Sequence, residues 1–492
     1  MSSLLTTRRL TLAAAVALAA AGAACKDPTS VPDLNNLPSS VVEGNLSANT
    51  AQLLTIGLTN RDRDIAGFRY IVFSETLARD VYNIDPSEAR FQTELLGNAI
   101  DPAGFTGGSG GFTEAFNAVR TADLLTSRIN TAADLTAEQQ AGVKGVAYAF
   151  KALALYRALE LRGPNGIPLQ NVDATVTGTT LVSTNPIRCE PAALTRISQL
   201  FDSSLASLTT AATGGATALA VTLPAGFASN GNFRTIAGFT QFVQGLKGRT
   251  EFYRGRVGGG GATSYAAAIT ALNASFLDTT AATTNGVYFT YAAAPDVFNP
   301  IAVSTIFLNP TITAVGTGAN AFGQSQVLQA GDLRGASKVS VSATATTRNG
   351  VTTNLRSPIA TATSANLTRP IAILRNAELI LLRAQAELAL GQYAAATADV
   401  NVVRVKEGGL APIPTIASPD EGIQRVLYEK RFSLLLEGAQ RLVDLRAYGL
   451  LNVTNLGASQ RGAADVFNVA LPIPQAELDQ RQQTAAQAAC TQ

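Results

Sequence analysis

The feature that most constrains the fold is a pair of long segments with almost no loop between them. Residues 371–390 are apolar on nearly every side, which is typical of a buried helix. Gly391 ends this segment, and residues 392–406 continue with helical spacing. So short a connection predicts an antiparallel helix hairpin. We therefore expect a core built from packed helices.

The hairpin carries small side chains where its two helices would meet. Its sequence, RAQAELALGQYAAATADVNVVR, resembles a tetratricopeptide unit, and an earlier stretch, GVAYAFKALALYRALELRG, has the same alanine-rich texture. Further helices are expected at 63–81, 112–129, 137–161, 190–208, 234–256 and 265–276. The segment 279–368 is rich in Ala, Thr, Gly and Ser, which favours long loops and short strands. The predicted fold class is mainly α, with tetratricopeptide-like helix pairs and long loop insertions.

The N-terminus has the pattern of a secretory leader. Arg8 and Arg9 precede an apolar run at 10–24, which is short for a membrane-spanning helix of about 20 residues. The run ends GAAC and resembles a bacterial lipobox, which implies that residues 1–24 are removed and that Cys25 is lipidated. An N-terminal anchor helix is the alternative. Residues 25–60 are predicted to form a tether, and residues 61–492 a single domain.

The charge balance and the absence of histidine argue against several functions. The chain has 37 Lys and Arg against 35 Asp and Glu. Removing residues 1–24 takes away two basic residues, Arg8 and Arg9, and leaves 35 of each sign. A chain this close to neutral gives no support to a nucleic-acid partner. Without histidine there is no Ser-His-Asp or Cys-His catalytic pair and no His-containing metal site.

The three cysteines are Cys25, Cys189 and Cys490. If Cys25 carries lipid, the other two could pair as a disulfide in an oxidising envelope, or both could stay as free thiols.

Two arginines fall among the leucines of the stretch YEKRFSLLLEGAQRLVDLRAYG, which has the spacing of one amphipathic helix. On a helical wheel, Arg431 and Arg446 project into the apolar arc. A buried guanidinium needs a carboxylate or several carbonyls around it. The predicted buried helix offers Glu378 and Glu387, so we predict that these carboxylates pair with the two arginines. The alternative is a bend at Gly438 that lets one arginine reach solvent.

The same stretch resembles the C-terminal signature of SusD/RagB-type nutrient-uptake lipoproteins. The matching residues are Glu429, Arg431, Glu437, Gly438, Arg441, Asp444, Leu445 and Arg446. Leu442 stands where the family usually has Trp. Further resemblances follow in the family's order, in AYAFKALALYRALELRGPNGIPL, AGDLRGASK, RNAELILLRAQAELALG, NVVRVKEGG and ALPIPQAELDQ. We expect a structural charge network made of Arg375, Glu378, Glu387, Arg431, Glu437, Arg441, Asp444 and Arg446.

The resemblance implies a binding protein without catalysis or a cofactor. Members of this family are lipid-anchored to the outer membrane, on its outer surface. They sit as a lid over a TonB-dependent transporter of the SusC type, bind oligosaccharides or peptides, and deliver them to it. The expected partners are therefore such a transporter, a glycan or peptide ligand, and the membrane.

The ligand site is not implied by the resemblance and must be sought among the loops. Sugar sites combine an aromatic ring with amides, hydroxyls or carboxylates. Two loops offer such residues, and the candidates are Tyr82, Asn83, Asp85 and Phe91 in the first and Tyr288 and Tyr291 in the second. The alternative is that these aromatic residues belong to the core or to strands. Because the chain has no Trp, stacking on a glycan is weakened, and a peptide or smaller nutrient stays open as the ligand.

Two other functions compete with nutrient capture. A tetratricopeptide-like lipoprotein could scaffold envelope assembly, and it would need no ligand pocket. A helical carbohydrate-active enzyme could work with two carboxylates, although nothing in the sequence marks such a pair.

Overall fold

Helices account for most of the regular structure. The computed structural model describes residues 44–97, 100–104, 111–170, 176–458 and 460–492, with the side chain of residue 463 left out. The leader and Cys25 lie outside the described residues. Ser47–Gln492 form one unit, to which all the elements below belong. Residues 48–60, assigned above to the tether, are helical and part of this unit.

The helices of four residues or more are numbered here in chain order. They are α1 Ala48–Ile65, α2 Phe68–Leu77, α3 Arg90–Thr93, α4 Phe112–Arg128, α5 Ala137–Arg162, α6 Gly178–Thr184, α7 Glu190–Ala212, α8 Ile236–Val257, α9 Gly261–Asn273, α10 Ala321–Ser325, α11 Leu333–Lys338, α12 Ser364–Leu367, α13 Asn376–Ala389, α14 Tyr393–Lys406, α15 Pro419–Ser433, α16 Gln440–Ala447, α17 Val453–Leu456 and α18 Gln475–Arg481.

The core lies along a row of helices in which each packs on the next: α4, α5, α7, α8, α9 and α13. The longest, α5, begins at a capping box in which Thr136 and Gln139 satisfy each other's backbone N–H groups. Where α5 meets α7, the Ser204 hydroxyl donates to the Gly145 carbonyl at 2.6 Å. A Cβ on Gly145 would lie 2.7 Å from Leu208, so this close approach of the two helices requires glycine.

The predicted hairpin is present, but it begins later than the sequence suggested. Its helices are α13 and α14, and Gly391 between them has a φ of 74°, in the left-handed region that favours glycine. The prediction of a helix from residue 371 is wrong, because Ile371–Arg375 form a strand. An apolar run buried on all sides gives no periodicity that separates a strand from a helix, and this one contains two β-branched isoleucines.

The strands form two small antiparallel sheets. They are β1 Val81–Asn83, β2 Gly286–Phe289, β3 Ile306–Leu308, β4 Ser340–Arg348, β5 Val351–Arg356 and β6 Ile371–Arg375. One sheet has the order β1-β3-β5-β4, and the other pairs β2 with β6. The segment 279–368 therefore contains the expected long loops and short strands, and it brings β3 beside the N-terminal strand β1.

The leucine-rich stretch near the C-terminus is two helices and not one. The chain leaves α15 after Ser433, and α16 starts at Gln440. Leu436 has a φ of 64° and Gly438 a φ of 154°. The break therefore lies where the alternative placed a bend. It separates α16 from α15, so Arg446 has different neighbours from those expected on one continuous helix.

The disulfide left open by the sequence is formed between Cys189 and Cys490, with 4.9 Å between their Cα atoms. Backbone bonds flank it: the Cys189 N–H donates to Thr491 at 2.8 Å, and the Thr491 N–H donates to Ile187 at 2.9 Å. The C-terminal tail is thereby fixed beside the start of α7.

Within the part of the chain that the structure describes, no helix combines the length and the apolarity needed to cross a bilayer.

Candidate functional site

The charge network was predicted with the wrong partners. Arg431 pairs with Asp80, whose Oδ1 atom accepts from Nε at 2.9 Å and lies 2.7 Å from Nη2. The two side chains are 3% and 1% exposed. Arg446 instead approaches Glu190 at 3.3 Å and donates to the Glu160 carbonyl at 2.9 Å. Arg431 is thus fully buried and Arg446 largely buried, and neither is paired with a carboxylate of α13.

The carboxylates of α13 have arginines of their own. Glu378 pairs with Arg249 of α8 at 2.7 Å, and Glu387 lies 3.9 Å from Arg383 one turn before it. The predicted pairing of Glu378 and Glu387 with Arg431 and Arg446 is therefore wrong. It treated α15 and α16 as one straight helix, whereas the break between them carries Arg446 toward the end of α5.

The end of α15 is capped by cations. The Ser433 carbonyl accepts from Arg375 at 2.8 Å and also from Lys338. Arg375 is held by Glu407 at 2.5 Å and Glu437 at 2.6 Å. Burial alone would raise the pKa of Glu407, but the Arg375 guanidinium outweighs it and holds that pKa at about 2. Burial lowers the pKa of Lys338 to about 8, against the opposing effect of Glu437. These charges stabilise the C-terminal end of α15 and the start of the connection to α16.

A second group of charges joins α16 to α15 and α8. Asp444 lies 2.5 Å from Lys430 and accepts from the Tyr253 hydroxyl at 2.8 Å. Arg441 lies 3.8 Å from Asp80 and donates to the Gln326 side chain at 2.9 Å. The C-terminal signature (residues 429–446) is therefore a buried framework of ion pairs.

The first group of predicted ligand residues is divided by the fold. Phe91 is buried against Phe68 and Phe73, with ring centroids 6.0 and 5.8 Å away. Asn83 is buried in β1, and Asp85 accepts at 2.8 and 2.7 Å from the backbone and hydroxyl of Ser87 in a surface turn.

Tyr288 and Tyr291 lie elsewhere, in and just after β2, and both are buried. Tyr288 donates to the Thr284 carbonyl and borders a cavity of about 30 Å³. Tyr82 is also buried, at 2% exposure in a core cluster with Ile84 and Phe307, and it borders a larger cleft. The Arg63 guanidinium lies 5.9 Å from the centroid of the Tyr291 ring. The structure does not bring the two predicted loops to one site.

The larger cleft, of about 180 Å³, is the best candidate for a functional site. We call it the Tyr82 cleft; it is lined by Arg79 and Tyr82, by residues of the segments 309–317 and 456–460, and by Phe467. Arg79 follows α2 and Tyr82 lies in β1, and the segment 309–317 directly follows β3. The pairing of β1 with β3 therefore brings these two walls together.

The two loop walls are joined where Gly316 meets Gly457. A Cβ on Gly316 would lie 2.4 Å from the Leu456 carbonyl oxygen, and Gly457 has a φ of 83°. One residue on, the Ala458 N–H donates to the Thr317 carbonyl at 2.8 Å. The crossing fixes the distance between the loops and requires glycine on both sides.

The chemistry of the cleft is aromatic and polar with its charge balanced. Of the described residues that line it, Arg79 alone is charged, and its Nη2 atom lies 2.9 Å from Asp465. The Arg79 guanidinium also lies over the Phe467 ring, 4.4 Å from its centroid. Burial raises the pKa of Tyr82 to about 12, so its phenol is neutral near pH 7. Side chains of Asn309 and Gln460 add amides to the lining.

The hairpin β4–β5 is hydrogen-bonded to the cleft wall that contains Gln460. Its turn residue Asn349 donates to the Gln92 side chain at 3.1 Å and accepts from Arg461 at 2.9 Å. Gln460 accepts from the Thr352 N–H. Sequence reasoning found Tyr82 but missed Arg79, Gln460 and Phe467. They lie in two loops that share no motif, one between α2 and β1 and one between α17 and α18. The glycine crossing joins positions too far apart in sequence to be paired by inspection.

In the described residues, no group of three or more Cys, Asp or Glu side chains is placed to hold a metal ion.

Comparison with known proteins identifies the architecture. No protein-family model and no curated protein matches the sequence. Solved structures do match: a SusD superfamily protein from Bacteroides fragilis is 14% identical, with a TM-score of 0.64 over 89% of this chain and 98% of that one. The chain has a SusD-like fold.

Other solved structures agree with this conclusion. A SusD superfamily protein from Bacteroides thetaiotaomicron is 15% identical and has a TM-score of 0.61, over 89% of this chain and 98% of its own. A SusD-like carbohydrate-binding protein from Bacteroides vulgatus is 16% identical and has a TM-score of 0.51, over 82% of this chain and 83% of its own. The predicted mainly α, SusD-like fold class is confirmed.

Proposed function

We propose that this protein binds oligosaccharides at the Tyr82 cleft and delivers them to a SusC-like TonB-dependent transporter. The observation that carries the proposal is the make-up of the cleft, which combines the partly exposed ring of Phe467 and the exposed amide of Gln460 with a balanced charge; Tyr82 and Asn309 are buried behind them. A pyranose offers an apolar face to a ring and hydroxyls to amides, so these are the groups that a neutral sugar needs.

The size of the cleft limits what it holds. Its volume of about 180 Å³ is below the roughly 300–1,000 Å³ typical of drug-sized ligand pockets. The cleft would therefore hold one end of a glycan while the rest of the chain lies in solvent. A structural neighbour described as a SusD-like carbohydrate-binding protein supports a glycan over a peptide.

The proposed location is the outer face of the outer membrane, through lipid on Cys25. The sequence before Cys25 supports this, and so does the disulfide between Cys189 and Cys490, because disulfides persist in oxidising compartments. There the protein would cover the transporter and carry out no catalysis.

Binding can be tested by calorimetric titration of neutral oligosaccharides and of peptides into the purified protein. We expect a neutral oligosaccharide to bind, to be recovered uncleaved, and to lose affinity in Phe467→Ala. Phe298→Ala is the matched control, since Phe298 is 47% exposed and is not among the described residues lining the cleft. Loss of binding in the control but not in Phe467→Ala would place the site elsewhere.

The partner can be tested by extracting the tagged lipoprotein from membranes in mild detergent and identifying what is bound to it. A TonB-dependent barrel in equal amount supports the delivery role. Recovery of envelope assembly proteins instead would favour a scaffold.

A further inference from the structure

Arg431 connects the C-terminal signature to two separate segments of the chain. Besides its ion pair with Asp80, its Nη1 atom donates to the carbonyls of Gln326 at 2.5 Å and Thr311 at 3.1 Å. Its Nη2 atom donates to the Thr311 hydroxyl at 3.1 Å. One guanidinium therefore holds a segment that follows α2 and a segment that follows β3.

Both segments are walls of the Tyr82 cleft. Asp80 directly follows Arg79, and its carbonyl accepts from the Asn309 N–H at 2.8 Å. The Thr311 hydroxyl donates to the Arg79 carbonyl at 3.1 Å. Arg79 itself has a φ of 64°, an unfavourable conformation for a residue with a side chain, so the surrounding bonds must hold it there.

We propose that Arg431 is a positioning residue for the Tyr82 cleft, setting the separation of its two walls without touching the ligand. This inference rests on the proposed function only where ligand affinity is concerned. The geometric part concerns the cleft itself and can be measured with no ligand present.

Lysine cannot replace arginine in this role. The planar guanidinium donates in several fixed directions at once, whereas an ammonium group is a compact charge at the end of a flexible stem. Arg431→Lys would keep the charge opposite Asp80 and lose the fixed set of bonds to Thr311 and Gln326. Thr311→Val is a second variant; it removes the hydroxyl between Arg431 and the Arg79 carbonyl and leaves the ion pair with Asp80 in place.

The chain offers a clean probe of the cleft because it contains no tryptophan. Phe467→Trp would place a unique fluorophore in the cleft wall. The matched control is Arg249→Lys, since Arg249 is another buried arginine, is paired with Glu378 at 2.7 Å, and donates to the Ile373 carbonyl at 3.2 Å. None of these three residues is among those described as lining the cleft.

The experiment measures acrylamide quenching of the indole introduced by Phe467→Trp, well below the melting temperature, with folding checked by circular dichroism. In this background we expect quenching to increase in Arg431→Lys and in Thr311→Val and to stay unchanged in Arg249→Lys. With the native Phe467, we expect the oligosaccharide that binds the wild type to bind at least about tenfold more weakly in both cleft variants.

If Thr311→Val is quenched no more than the Arg249→Lys control, the inference is overturned. The same holds if Arg431→Lys is folded and is quenched no more than that control. If Arg431→Lys does not fold, the Thr311→Val result decides. If the wild type binds no oligosaccharide, the proposed function fails, while the quenching result still decides whether Arg431 positions the cleft.

Discussion

The carboxylate of Glu75 accepts a hydrogen bond from the backbone N–H of Leu436 at 2.8 Å, joining α2 to the break between α15 and α16. Leu436 has a φ of 64°, so this bond helps to hold a conformation that leucine rarely adopts. Burial, with the nearby Asp80 charge, raises the pKa of Glu75 well above 4.5. The N-terminal helix thus stabilises the point where the leucine-rich stretch departs from one helix.

Glu75 should make stability depend on pH. Because its pKa is higher in the folded protein, the folded state binds more protons than the unfolded state above pH 4.5. Its contribution to stability is full below that pH and is lost as the pH rises through the folded pKa. We expect the stability of Glu75→Gln, relative to that of the wild type, to increase from pH 5 to pH 8. Urea denaturation at a series of fixed pH values across this range measures the difference. A difference that stays constant or reverses over that range would contradict the pKa assignment.

Removing the charge of Asp80 should destabilise the fold strongly. Asp80→Asn leaves the Arg431 guanidinium buried without its carboxylate, which we expect to cost about 3 kcal/mol in the free energy of unfolding. Asp202→Asn is the control, since Asp202 forms an exposed ion pair with Lys247 and surface pairs contribute little. Denaturant titration compares the two, and equal effects would show that burial of the Asp80 pair is unimportant.

The glycine crossing should be sensitive to a single methyl group. A Cβ on Gly457 would lie 2.4 Å from the backbone of Gly316, so Gly457→Ala should separate the loop walls and reduce oligosaccharide affinity. Gly462→Ala is matched in backbone strain: its φ is 58°, but an added Cβ would meet no described atom within 4 Å. Titration calorimetry should find weaker binding in Gly457→Ala alone. An equal loss of affinity in both variants would show that backbone strain, and not the contact with Gly316, causes the loss.

Loss of the disulfide should lower thermal stability. The bond spans 301 residues of sequence, and replacing Cys189 and Cys490 with Ser should cost about 2–5 kcal/mol. Melting with and without reductant measures this. Reductant should lower the melting temperature of the wild type and leave the double variant unchanged. A wild type insensitive to reductant and as stable as the variant would contradict the pairing.

The sequence predicted most of the long helices because their evidence is local, but it missed the start of α1, the strand before α13 and the break between α15 and α16. The α13–α14 hairpin follows from an apolar run, a glycine and a second helical pattern, and all of these lie within a few turns. Arg431 could be recognised as a buried charge for the same reason. Its partner could not be found, since Asp80 lies 351 residues away and is placed by the end of α2. The cleft could not be predicted for the same reason. Tyr82, Gly316 and Gly457 are brought together by strand pairing and loop packing, and the spacing of residues in the sequence gives no sign of either.

Arg431 reaches a loop of the cleft partly through the main-chain carbonyl of Thr311, and the segment after α10 through that of Gln326. A carbonyl is present whichever side chain a residue carries. Side chains at neighbouring positions of these loops can therefore be exchanged while the attachment to the signature stays the same. In evolutionary terms, the side chains of these loops and the bonds that hold the loops in place depend on different atoms, so the side chains can change while the fold is kept.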